Sequence, residues 1–81
     1  MEKALKDMRV EEFAEYVEFI PDWRLDEVIA SLEAAAKGYE HMIEVNDNEN
    51  TVKTYRRRLG AIYLKLAIAR EEKAKRAPVR P

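Results

Sequence analysis

Apolar residues recur along this chain at the three-and-four spacing of amphipathic helices, in three blocks set apart by breakers. In the first block Leu5, Met8, Phe13, Tyr16, Val17 and Ile20 alternate with Glu11, Glu12, Glu15 and Glu18, which predicts a helix over about 2–19. Pro21 ends it, because the residue before a proline is pushed out of the α region. Asp22 stands where a cap belongs, and a second helix is predicted over about 23–45, with Asp26 and Glu27 near the positive end of its dipole. The stretch Asn46-Asp47-Asn48-Glu49-Asn50-Thr51 follows. Its side chains compete with the backbone for hydrogen bonds and so favour turns and caps. A third helix is predicted over about 50–76, and the proline-bearing tail 77–81 cannot continue it.

The two long blocks match each other. Leu25, Val28, Leu32, Ala35, Tyr39 and Met42 form the apolar seam of the second helix, and Val52, Tyr55, Leu59, Ile62, Leu66 and Ala69 that of the third. Folded antiparallel about the Asn-rich loop, Met42 meets Tyr55, Tyr39 meets Leu59, Ala35 meets Ile62, Leu32 meets Leu66 and Val28 meets Ala69. The residue numbers of each pair add to 97 or 98, so one hairpin register satisfies the whole seam. The expected fold is all-α: three helices dominated by a long antiparallel, coiled-coil-like hairpin, in one domain over about 1–76.

The third helix carries more apolar surface than this seam uses. Ala61, Leu64 and Ile68 run beside the small residues Gly60, Ala67 and Ala74. A lone bundle of this size is marginal, and self-association is the usual remedy where neither disulfide nor metal is present. Gly60, Ala61, Leu64, Ala67 and Ile68 are therefore the expected interface of a homo-oligomer, most simply a two-fold dimer and a larger helical bundle.

Composition bears this out and adds a charge polarity. Hydrophobic residues make up 47% and charged residues 38%, a balance of amphipathic helices rather than of disorder. Cysteine is absent, so disulfides and thiolate metal sites are excluded. No apolar run is long enough for a membrane span or a signal-peptide core, and a cytoplasmic location is expected. Residues 1–50 carry 14 acidic and 5 basic side chains, a balance of −9; residues 51–81 carry 10 basic and 2 acidic, +8, for the total of −1.

The basic group Lys53, Arg56, Arg57 and Arg58, with Tyr55 beside it, is the main candidate site. Arginine forks suit phosphate or carboxylate, an adjacent aromatic can stack on a base, and the free N–H groups of a helix start favour an anion. The opposing reading pairs these arginines with acids of the first helix or of another subunit, since Glu33, Glu40 and Glu44 are expected on the outer side of the second helix. The segment Glu49–Leu59 resembles the recognition helix of bacterial transcription regulators, with Thr51-Val52-Lys53 opening it and basic residues following. That resemblance implies DNA contact by a helix-turn-helix, although Asp47 stands where the motif wants an apolar residue. Gly38 and Gly60 fall at one level of the hairpin, for close packing or for a niche beside Arg58 that admits a small nucleotide.

No nucleophile–base pair, glycine-rich phosphate loop or metal spacing is present. Asn46, Asn48 and Asn50 mimic the start of a calcium loop, but the central glycine is missing and Arg57 stands where its glutamate belongs. His41, the single histidine, has no partner of its kind. No enzyme, cofactor or metal is expected. The leading expectation is a non-enzymatic interaction or inhibitor-type protein that homo-oligomerises and presents an acidic surface to a protein partner, in the manner of small phage and bacterial accessory proteins. The alternative is anion binding by the arginine cluster, to DNA or a nucleotide.

Overall fold

The computed structural model describes residues 5–76. Among them the chain forms three α-helices and no strand: α1 (Val10–Phe19), α2 (Asp22–Val45) and α3 (Glu49–Arg76), with a single 3₁₀ turn at Leu5–Asp7 before α1. α2 and α3 pack along each other, and α1 lies against α3. The contacts step backwards along α3 as they advance along α2: Asp22 with Arg76, Asp26 with Lys73, Glu33 with Arg70, Glu40 with Tyr63. This is the antiparallel hairpin that the periodicity predicts. No helix among the described residues is long and apolar enough to cross a membrane.

The first helix departs from expectation. Met8 and Phe13 are five residues apart, and at about 100° per residue that spacing leaves their faces roughly 140° out of phase. The chain restores the phase by breaking: Arg9 is extended (φ −71°, ψ 159°) and α1 begins afresh at Val10. The break lets Leu5 and Met8 pack on the same core as Phe13 and Val17. At the other end Ile20 is extended (φ −87°, ψ 151°), as its position before Pro21 demands. The remainder of the predicted first helix, residues 2–4, and the tail 77–81 lie outside the described residues.

Asp22 does not cap α2. It sits inside the first turn, and its carboxylate accepts a hydrogen bond from Arg76 Nη1 at 3.0 Å. The cap prediction succeeds in the Asn-rich loop, where Asn48 Oδ1 accepts from the backbone N–H groups of Asn50 (3.0 Å) and Thr51 (3.2 Å). Asn46 Oδ1 accepts from the Asn48 N–H at 2.9 Å, closing the turn before it.

The core lies at one end of the hairpin. Phe13, Val17, Leu25, Val28, Leu32, Leu66 and Ala69 form one buried cluster. Towards the loop, the seam residues Ala35, Tyr39, Tyr55, Leu59 and Ile62 are only half-buried, and Met42 is exposed. Helix length is the cause. α1 has 10 residues against 24 in α2 and 28 in α3, so a third layer of about 15 Å backs hairpin helices of about 36 and 42 Å.

The acids of α2 are not all turned outward. Glu33 accepts from Arg70 at 2.9 Å, and Glu40 accepts a hydrogen bond from the Tyr63 hydroxyl. Each follows a seam residue (Leu32, Tyr39) by one position, and its side chain reaches back across the hairpin. Half-exposed bridges of this kind fix register more than they add stability.

A candidate interaction groove

Residues seven apart on a helix return to nearly the same side after two turns. Arg58, Lys65 and Glu72 therefore share one flank of α3, and Arg24 and Gly38, fourteen apart, share one flank of α2. α1 is fastened to this side of the hairpin. Its Tyr16 hydroxyl accepts from Arg24 Nε at 3.0 Å, and its Val17 carbonyl accepts from Arg76 Nη2 at 2.8 Å. The 3₁₀ turn closes the upper end of the covered stretch, where the Leu5 carbonyl accepts from Lys65 Nζ at 2.8 Å.

Lys65 is the one buried charged residue among those described, at 5% exposure. Burial pushes its ammonium below the usual lysine range, and the nearby Asp7 carboxylate works against that shift. The sequence reading does not single out this lysine. Its seven-residue spacing from Arg58 and Glu72 is the signal that places it at the edge of the seam.

Two turns beyond Lys65 the cleft is uncovered. A shallow groove of about 520 Å³ opens there, lined by Ala35, Gly38, Tyr39, His41, Met42, Tyr55 and Arg58. The floor is shaped by the Tyr39–Tyr55 ring pair, whose centroids lie 5.6 Å apart with the planes tilted by 49°. Gly38 leaves the groove wide, since a Cβ built on it meets nothing within 4 Å. The same holds for Gly60, so close approach of α2 to α3 is not what the two glycines serve.

The basic cluster is open. Lys53, Arg56, Arg57 and Arg58 are exposed, and no carboxylate among the described residues pairs with them. Cations lower on α3 are held instead: Arg70 by Glu33, Lys73 by Asp26, and Arg76 by Asp22 and Glu72. The neutralisation of the arginines by acids of the first helix is thus not found among the described residues. They do not form one pocket, because successive residues point about 100° apart. Arg58 faces the groove, Arg57 points away from the hairpin, and Arg56 lies on the opposite flank.

Three supports of the anion reading change in the structure. Tyr55 is half-buried against Tyr39 and not free to stack on a base. The N–H groups of Asn50 and Thr51 at the start of α3 are already taken by Asn48. The two helices around the loop run antiparallel, whereas a helix-turn-helix crosses at roughly 90–120°.

Of the predicted interface, Gly60, Ala61, Leu64 and Ala67 are exposed, Leu64 at 56%. Ile68 is half-buried and packs on the core, so it is only partly available. The sequence reading overlooked Phe19 and Trp23, which flank Pro21 and are 84% and 66% exposed. No group of three or more His, Cys, Asp or Glu among the described residues is arranged to hold a metal. No protein-family model, curated protein or solved structure matches the chain.

Proposed function

We propose that this protein is a non-enzymatic interaction module whose hairpin captures an acidic amphipathic helix of a protein partner in the groove above Lys65. One observation carries the reading: the cleft beside α2 and α3 is filled by α1 over its lower half and open over its upper half. What fills the lower half indicates what suits the upper. α1 buries Phe13 and Val17 while Glu11, Glu15 and Glu18 face solvent, and basic side chains of the hairpin reach its hydroxyl and carbonyl groups.

The open half offers the same elements without an occupant. Its lining is aromatic and aliphatic with Arg58 and His41, and Arg58 has no ion-pair partner among the described residues. Helix-in-groove binding uses an apolar stripe for affinity and flanking charge for orientation. A nucleotide is less well served, because small-ligand sites enclose most of the ligand and this groove is open to solvent. The expected acidic surface also has less support than the basic groove, since Asp22, Asp26, Glu33 and Glu40 of α2 are engaged by α3.

Fluorescence anisotropy with two labelled helical peptides tests the reading. They share apolar positions, and one carries glutamate and the other lysine on the flanks. Saturable binding of the acidic peptide, lost in Arg58→Glu, is the expected result. Equal binding of both peptides, or of neither, contradicts it. Tighter binding of duplex DNA, with an affinity that falls steeply in salt, would transfer the arginines to the nucleic-acid alternative.

A further inference from the structure

The face of α3 that points away from the hairpin is apolar around Leu64 and carries opposite charges at equal distances from it. Ala61 and Ala67 lie three residues to either side, Gly60 and Ile68 four, and Arg57 and Glu71 seven. At about 100° per residue all of these fall within roughly 60° of the Leu64 direction, opposite the seam residues Ile62 and Leu66. All but the half-buried Ile68 are exposed. Arg57 and Glu71 have no ion-pair partner among the described residues.

We infer that α3 is the interface of a two-fold antiparallel homodimer centred on Leu64, closed at each end by Arg57 of one copy against the partner's Glu71. A two-fold axis through Leu64 sets each residue against the one equally far on the other side. Leu64 meets Leu64, Ala61 meets the partner's Ala67, and Gly60 meets the partner's Ile68. The charge pair then forms twice, as an isologous interface requires. Charge favours this occupant, because Arg57 and Glu71 are exposed, equally far from Leu64 and opposite in sign, so each meets its complement on a reversed copy. Gly60, whose missing side chain no neighbour among the described residues explains, is accounted for by the approach of a second helix. Lys53 meets the partner's Lys75 only at the outermost turns, where long side chains splay into solvent. The interface lies on a different side of α3 from the groove, so it does not rest on the groove's having a partner.

Sedimentation equilibrium of the full chain at micromolar concentrations should give twice the 9.5 kDa chain mass. Arg57→Glu and Glu71→Arg should each weaken the dimer by about tenfold or more, since each turns two attractions into repulsions. The double variant should restore the affinity. A monomeric wild-type chain, or a double variant as weak as the single ones, overturns the inference. Because the chain has no cysteine, Leu64→Cys supplies a second readout. It should oxidise to a disulfide-linked dimer, whereas Thr54→Cys, placed away from the axis, should not. Equal cross-linking of both would also overturn the inference.

Discussion

Arg76 of α3 donates from Nη2 to the backbone carbonyl of Val17 in α1 at 2.8 Å, and so caps the last turn of a helix almost sixty residues away. The same guanidinium reaches the Glu18 carbonyl at 3.3 Å, Asp22 at 3.0 Å and Glu72 at 2.8 Å. The end of α1 has no basic residue of its own in the last turn, so its free carbonyls and negative dipole end are met from α3. One side chain thereby joins the end of α1, the start of α2 and the end of α3.

Replacing Arg76 with alanine should therefore loosen α1 selectively. Amide exchange should accelerate over Val10–Phe19 while the central turns of α2 and α3 stay protected. The loss in Tm should exceed that of Lys73→Ala or Arg70→Ala, whose bridges are single and more exposed. Equal losses for the three variants would show that Arg76 acts as an ordinary surface cation.

Lys65 gives the fold a defined alkaline response. Its ammonium is held below the ordinary value of 10.5 by burial, with Asp7 opposing. Between its folded-state value and 10.5 the unfolded chain therefore binds more protons than the folded one. Stability then rises with pH over that window, because the cost of a buried charge disappears as Lys65 loses its proton. Lys65→Met removes this titration. The stability of wild type relative to Lys65→Met, from urea unfolding, should increase from about pH 7 to about pH 10. Tyr63, raised by its hydrogen bond to Glu40, titrates in both proteins and cancels from the difference. A difference independent of pH would place Lys65 in contact with water.

The helical hairpin was legible because its signal is repeated. Leu25, Val28, Leu32, Leu66 and Ala69 are buried as the seam predicts, and the ion-pair ladder runs in the antiparallel direction the hairpin requires. The break at Arg9 was also written in the chain, in the five-residue step from Met8 to Phe13. Side-chain reach was less legible. Glu33 and Glu40 sit one position off the seam, and only their length brings them to Arg70 and Tyr63. The groove was legible in part, through Gly38 beside Arg58. Its cause is the shortness of α1, a relation between elements that no local pattern records.

The glycines offer a separate check on the packing. A Cβ added to Gly38 or Gly60 meets nothing within 4 Å, and a glycine inside a helix costs roughly 1 kcal/mol against alanine. In a Leu64→Glu background, which removes assembly from the comparison, Gly38→Ala and Gly60→Ala should each stabilise the fold by up to about 1 kcal/mol. Destabilisation at either site would mean that the helices approach there more closely than described. With Leu64 intact, Gly60→Ala should weaken the dimer while Gly38→Ala leaves it unchanged.

The central claim is that the open half of the cleft accepts what α1 supplies to the closed half. Amide chemical-shift mapping of the full chain, titrated with a capped peptide of the sequence Val10–Ile20, tests it most directly. The account predicts saturable shifts at Gly38, Tyr39, Met42, Tyr55 and Arg58, with Phe13 and Val17 of the chain's own α1 unmoved, and loss of the response in Arg58→Glu. Shifts confined to the residues that already hold α1, or none at the groove, would contradict it.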